Sequence, residues 1–305
     1  MRRIRILVAA VAFALAGALV LPIGVTAATV PAPIACDTTK GACWHPALGL
    51  RWQYQLQGVA AYASTGGINV NISAVPVAGG AAVKPQAFDI DVYVDQAISG
   101  NNNTLSTVAV NAIHANGAKA ICYLSAGTWE NWRPDAASFP ASVQGSKNGW
   151  PGEKWLDIRQ TAILLPIMQA RVQKCQQVGF DGVEFDNVDG YANRTGFPLT
   201  ANDQLVYDAS LANLAHQAGL TVALKNDMAQ VGTLKPYFDY AINEQCFQYR
   251  ECNYPAPGLP DWIASGKAVF NVEYKKLDCA QANTWNFGSI LKTLELFDTP
   301  WTPCR

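Results

Sequence analysis

Apolar and polar positions alternate between two periods along this chain, and that alternation lays out its elements. Short apolar runs read as strands at Trp52–Leu56, Ala87–Val94, Ala118–Leu124, Trp155–Ile158, Gly182–Phe185, Thr221–Leu224, Tyr240–Asn243 and Ala268–Val272. Between them, Thr104–Asn116, Thr161–Val178 and Asp203–Ala218 carry apolar residues at three- and four-residue steps, the spacing of an amphipathic helix. A glycine just past each helix, at Gly117, Gly179 and Gly219, is a helix terminator placed before the next strand. Strands alternating with helices imply parallel pairing through crossover connections. Eight strands predict an α/β fold closed as a (β/α)8 TIM barrel in a single domain, with an open doubly wound sheet as the alternative.

The segment before this pattern has a different character. Arg2, Arg3 and Arg5 precede the apolar run Ile6–Val20 and a small-residue site at Val25-Thr26-Ala27, the layout of a secretory signal, so residues 1–27 are read as a cleaved leader. An uncleaved membrane anchor is the competing reading. Residues 28–50 are Pro-rich and predicted irregular, and 51–305 form the barrel with its C-terminal tail. Two long loops, 127–154 and 248–267, are rich in Trp, Tyr, Pro and Gly. Loops of that length are commonly functional. Their aromatics, Trp129, Trp132, Trp150, Trp155, Tyr249, Tyr254 and Trp262, suit either platforms for sugar rings or packing beneath the loops themselves.

Export changes the meaning of the eight cysteines, which then point to a disulfide-stapled protein. Cys36 and Cys43 enclose one short loop, Cys246 and Cys252 another, and Cys279 with Cys304 would tie down the tail. Cys122, in a strand, and Cys175, in a helix, either bridge the two or stay free and buried. With only His45, His114 and His216 available and none at ligand spacing from a cysteine pair, a metal site is not expected. His114 and His216 lie in helices and read as surface or satisfied residues. No phosphate loop, dinucleotide fingerprint or G-x-S-x-G motif is present, so no cofactor is expected. The 22 basic residues less the three leader arginines leave 19 against 23 acidic ones, a net charge of −4. Such a surface offers no basic patch for nucleic acid or anionic lipid. The chain is expected to be secreted, free of the membrane after cleavage, and monomeric.

Carboxylates supply the candidate chemistry. Residues 178–191, VGFDGVEFDNVDGY, run from an apolar strand into Asp181, Glu184, Asp186, Asn187 and Asp189. Buried carboxylates without partners are costly, so this burst marks either a solvated pocket or a polar turn. Other strands add to it. Asp89 and Asp91 alternate on one pleat face, Tyr123 and Ser125 close the third run with Glu130 following, and Lys225-Asn226-Asp227, Glu244 and Glu273 close later ones. Acids at successive strand ends exceed what capping requires. A set of Asp and Glu without metal or nucleophilic serine suits glycoside hydrolysis, where one carboxyl donates a proton and another attacks the anomeric carbon or activates water.

The segments WQYQL (52–56), FDID (88–91), AICYLSAG (120–127) with ENWRP (130–134), FDGVEFDNVDGY (180–191), Lys225-Asn226 and Asn243-Glu244 resemble the glycoside-hydrolase family 114 barrel, typified by endo-α-1,4-polygalactosaminidase. The resemblance runs over about Trp52 to Tyr274, leaving the Cys36–Cys43 loop and the tail beyond Cys279 outside it. It implies an endo-acting hydrolase of α-1,4-linked galactosamine polysaccharide with two essential acids. Carried onto this sequence, Asp186 is the nucleophile or base and Glu244 the general acid. Asp91, Tyr123, Glu130, Asn187, Asp189, Lys225 and Asn226 are further candidates for binding or support. A rim of carboxylates would attract a cationic amino-sugar chain, although Lys225 argues against a uniformly acidic groove. Two other readings are a glycosidase for N-acetylated or neutral polysaccharide, and a secreted carbohydrate-binding barrel without catalysis.

Overall fold

The computed structural model describes residues 28–305, and the expected leader lies outside them. Eight parallel strands form one curled sheet in chain order: β1 (Trp52–Tyr54), β2 (Ala87–Asp91), β3 (Lys119–Ser125), β4 (Gly182–Asp186), β5 (Thr221–Lys225), β6 (Tyr240–Glu244), β7 (Val269–Glu273) and β8 (Gly288–Leu291). A short antiparallel piece, Thr302–Pro303, continues past β8. β1 and β8 lie side by side, and the Trp52 indole N–H donates to the Gly288 carbonyl at 2.8 Å, so the sheet curls into a barrel. The expected TIM-type architecture is present.

The barrel differs from the expectation at one strand. Trp155–Ile158 is not a barrel strand: Glu153–Leu156 pairs antiparallel with Thr128–Glu130 and Gln144–Lys147 in a separate three-stranded sheet built from the long 127–154 loop. The eighth strand is instead Gly288–Leu291, within the expected tail. Four residues, GSIL, carry too little alternation to stand out, whereas EKWL shows the apolar end of a strand without a parallel neighbour to receive it.

The helices fall where the period places them, at α1 (Thr107–Ala115), α2 (Thr161–Val178) and α3 (Ala201–Gln217). α3 starts with a capping box in which Thr200 and Asp203 bond each other's backbone amides. All four disulfides are formed: Cys36–Cys43, Cys122–Cys175, Cys246–Cys252 and Cys279–Cys304. The second pins β3 to the helix that covers it. Residues 28–50 contain no helix or strand. They strap along α3, with Asn213 bonded to Ala32 and Ile34, and with the buried His216 bonded to the Ile34 carbonyl and to Asp239. His114 bonds Asp181 at 2.8 Å, so both helical histidines are satisfied residues.

Strand parity determines what enters the barrel, because successive side chains point to opposite faces. At its lower end Trp52 stacks on Phe270 with centroids 5.3 Å apart, and Tyr240 meets Phe270 edge-on. Gly182 leaves the room this needs, since a Cβ there would sit 2.6 Å from the Tyr240 hydroxyl oxygen. Above these aromatics the inward positions turn polar: Tyr54, Asp89, Glu184 and Lys225, all buried.

Candidate active site

At the C-terminal ends of the strands a cleft of about 890 Å³ opens, the position where βα loops of such barrels carry chemistry. Asp186, the last residue of β4, and Glu244, the last of β6, both line it. Between their strands β5 ends in Lys225, whose ammonium lies 3.0 Å from Asp186 Oδ1 and 3.4 Å from Glu244 Oε2. The two acids, distant in sequence, therefore share one cation.

Each acid is held from a second side. The Tyr123 hydroxyl, on β3, donates to Asp186 Oδ2 at 2.8 Å, and the Asn187 amide donates to Asp186 Oδ1 at 2.8 Å. The Tyr274 hydroxyl, just past β7, donates to Glu244 Oε1, and Asn226 Oδ1 accepts from the Glu244 amide at 2.9 Å. Burial by itself would raise the Asp186 carboxyl, but the Lys225 ammonium and the hydrogen bonds from Lys225, Tyr123 and Asn187 outweigh it and hold Asp186 below the ordinary aspartate value. Asn187, Asn226, Asp227 and Gln245 all take left-handed backbone, with φ of 62°, 49°, 43° and 63°. Strain of this kind concentrates at functional sites, and here it follows three consecutive strands. Gly127 belongs to the same corner: a Cβ there would come within 1.7 Å of the Asn187 carbonyl oxygen.

Lys225 is 1% exposed and reaches down as well as up. Its ammonium lies 2.8 Å from Glu184 Oε1 and 3.1 Å from the Tyr54 hydroxyl. Desolvation would lower its pKa, yet Asp186, Glu184 and Glu244 together raise it well above the usual lysine value. Beneath, neither Asp89 oxygen nor Glu184 Oε2 meets a donor among the described residues, and the two carboxyls are close enough to hydrogen-bond when Asp89 carries a proton. Burial, then the neighbouring Glu184 charge, pushes Asp89 well up.

The other sequence candidates separate into groups. Asp91 lines the cleft but bonds Arg133 at 2.7 Å, and Glu130 makes a forked pair with the same guanidinium at 2.6 and 2.8 Å. Asn187, Asp189 and Asn226 also line the cleft. Burial, then the nearby Asp186 charge, raises Asp189. Glu273 is not at the cleft. Val272 pairs with Glu244 across the β6–β7 ladder, so Glu273 points to the opposite face, where its carboxylate accepts from the Phe247 and Gln248 amides.

Several lining residues were not among the sequence candidates: Tyr54, Arg133, Glu153 and Tyr274. Tyr54 could have been found from its inward parity with Trp52, and Arg133 from its place in the ENWRP segment. Glu153 and Tyr274 have no such local signal. Burial, then Glu130, raises the Glu153 carboxyl to about 7. Of the loop aromatics, Trp132, Trp150 and Trp155 line the cleft, whereas Trp262 is fully buried in the core. Among the described residues no helix is long and apolar enough to cross a membrane, and no group of three or more acidic, His or Cys side chains is arranged to hold a metal ion.

Comparison with known proteins gives the arrangement a context. The sequence profile described as glycoside-hydrolase family GH114 matches residues 34–305, a span that takes in both the Cys36–Cys43 loop and the tail. The crystal structure of Aspergillus fumigatus Ega3 in complex with galactosamine is similar at 30% identity and a TM-score of 0.66, over 84% of this chain and 95% of that one. The glycoside hydrolase domain of PelA from Pseudomonas aeruginosa shares the fold, with a TM-score of 0.54 at 11% identity over 83% of this chain and 97% of that one. A search of curated proteins finds no match.

Proposed function

We infer the reaction from one premise: the chain belongs to glycoside-hydrolase family GH114. We propose that it is a secreted, monomeric, endo-acting hydrolase of α-1,4-linked galactosamine-containing polysaccharide, with Asp186 and Glu244 as its two working acids. The observation that carries this reading is the Lys225 bridge, which sets both carboxyls at one cleft. Contacts of 3.0 and 3.4 Å to a single nitrogen hold those two oxygens within about 6.4 Å of each other, which leaves room for the roughly 5–5.5 Å carboxyl spacing of retaining enzymes.

The roles follow from the surroundings. Asp186, closer to the ammonium and held ionised, suits the nucleophile that attacks the anomeric carbon and displaces the leaving oxygen. Glu244, farther from Lys225 and more open to the cleft, supplies the proton to that oxygen and afterwards takes one from the water that releases the product. The pairs around the acids position them before substrate arrives. Substrate charge is argued from the wall. Eight carboxylates line the cleft against two cations, Arg133 and Lys225. Both cations are buried and already paired, so the surface offered to substrate is acidic and suits a cationic amino-sugar chain. The resolved similarity to a galactosamine-bound structure supports the same substrate class.

The decisive experiment incubates the purified protein with deacetylated and N-acetylated α-1,4-galactosaminans and counts new reducing ends. Asp186→Asn and Glu244→Gln are expected to abolish release while thermal melting stays near that of the wild type. Full activity in both variants would remove the assignment.

A further inference from the structure

Glu153 is a cleft carboxyl with no part in the two-acid reaction. It opens the strand Glu153–Leu156 of the small sheet and lines the cleft together with Asp186. Directly opposite it on the neighbouring strand stands Glu130, and like charges facing each other across a ladder are destabilising. Glu130 is compensated by the fork from Arg133. Glu153 meets no cation among the described residues. Its Oε2 accepts from two neutral donors, the Thr128 hydroxyl at 3.0 Å and the Asn148 side-chain amide at 2.6 Å. An acid kept in so unfavourable a place calls for a functional reason.

The Thr128 hydroxyl supplies one. With its proton committed to Glu153, Thr128 Oγ1 accepts from the Ser125 hydroxyl, 2.5 Å away. Ser125 Oγ in turn accepts from the Asn187 side-chain amide at 3.0 Å, and the backbone N–H of Asn187 donates to Asp186 Oδ1 at 2.8 Å. The side-chain donors therefore all run one way, from Asn187 through Ser125 and Thr128 to Glu153. Hydrogen bonds in such a chain polarise and strengthen one another. Ser125 and Thr128 are buried and do not line the cleft, so substrate cannot replace a broken link. Asn187 needs the restraint, because its φ of 62° is left-handed backbone, and release would let it relax and carry its N–H away from Asp186. Burial and then Glu130 raise the Glu153 carboxyl to about 7. A proton gained there sits on Oε1, so the chain keeps its direction in either state.

We propose that Glu153 is a positioning residue for the hydrolysis: as the terminal acceptor of this chain it fixes the Asn187 side chain, and through the Asn187 amide it holds the Asp186 carboxylate in its attacking orientation. The role rests on the reading of Asp186 as nucleophile. It also gives the 127–154 loop a second purpose. The small sheet leaves the barrel just past β3 and brings Glu153 back against Thr128, so the loop braces the nucleophile as well as walling the cleft.

Steady-state hydrolysis of deacetylated α-1,4-galactosaminan by the wild type, Thr128→Val, Glu153→Ala and the double variant tests this. Thr128→Val removes a hydroxyl and leaves the cleft wall intact, so kcat should fall about tenfold with KM unchanged. Glu153→Ala should lower kcat by about 10–100-fold, the scale of loss that misplacing a reacting group by about 1 Å produces. Because both changes break one chain, the double variant should be no slower than Glu153→Ala. Glu153→Gln keeps a carbonyl oxygen for Thr128 and should return kcat to within about threefold of the wild type. An unchanged kcat in Thr128→Val, losses that multiply in the double variant, or a loss confined to KM overturns the role. Where Glu153→Ala does not fold, Thr128→Val and Glu153→Gln decide. The Asp186→Asn protein is assayed alongside. If it is inactive while Thr128→Val is as fast as the wild type, only the positioning role is lost; if it hydrolyses at the wild-type rate, the nucleophile assignment is lost and this role with it.

Discussion

Lys225 and Glu184 face each other across 2.8 Å inside the barrel, and neither reaches solvent. The same ammonium touches Asp186 and Glu244 above, so a structural ion pair and the candidate acids depend on one nitrogen. Removing it should cost both stability and rate. Lys225→Met leaves Glu184 buried without its counter-charge, and losses from breaking a buried pair are about 3–5 kcal/mol. Removal of one preorganised donor typically lowers kcat by about 10²–10³. Adding Glu184→Gln to Lys225→Met should recover much of the stability and none of the activity. Chemical denaturation with initial-rate assays on the four proteins of this cycle separates the two effects.

Burial raises both Asp89 and Glu184, but only Glu184 has the Lys225 ammonium against it. The Asp89 carboxyl is raised well above the ordinary value by burial and then by Glu184. A carboxyl with a folded value above its unfolded one favours the folded state when protonated. Stability is therefore present at low pH and is lost as pH rises from the unfolded value, about 4, toward the folded one. Asp89→Asn keeps a donor for Glu184 and removes this loss. The variant should match the wild type near pH 4 and exceed it increasingly above, as read from denaturant midpoints across pH 4 to 8. A variant that is less stable throughout the range would show Asp89 to be ionised.

The geometry around Lys225 also predicts stereochemistry. Hydrolysis with the acids this close should retain the anomeric configuration, so the first product formed from an α-linked chain is the α anomer. Proton NMR of the nascent reducing end, recorded before mutarotation, decides it. Appearance of the β anomer first would require a water to fit between Asp186 and Glu244.

Cys122–Cys175 closes a loop of 53 residues between β3 and α2. Chain-entropy arguments assign such a crosslink about 4 kcal/mol. The Cys122→Ala, Cys175→Ala pair should lower stability by that order without changing activity at low temperature, whereas loss of the seven-residue Cys36–Cys43 link should cost less. Urea titration of the two double variants provides the comparison.

Much of the site was legible in the chain before any coordinates. Asp186 and Glu244 each close an apolar run, and Tyr123, Asn187 and Asn226 stand at comparable ends. Parity explains where that reading failed. Glu273 ends a strand just as Glu244 does, yet it is one position out of phase and faces away from the cleft. Arg133 and Tyr274 act through contacts with Asp91, Glu130 and Glu244, and such pairings leave no trace in local spacing. The Lys225 objection to an acidic groove weakens for a similar reason: its buried charge is already shared among Glu184, Asp186 and Glu244.

By itself the amino-acid sequence determined the alternation of strand and helix, the helix ends at Gly117, Gly179 and Gly219, and the crowding of acids at strand ends. These are short-range properties, set by side-chain period and backbone preference over a few residues. Only tertiary structure decided that Gly288–Leu291 and not Trp155–Ile158 completes the barrel, that Lys225 is buried among three acids, and that Asp227 keeps one oxygen unpartnered. Each of those depends on burial and on neighbours brought from far along the chain, and desolvation and charge pairing act on distances in space.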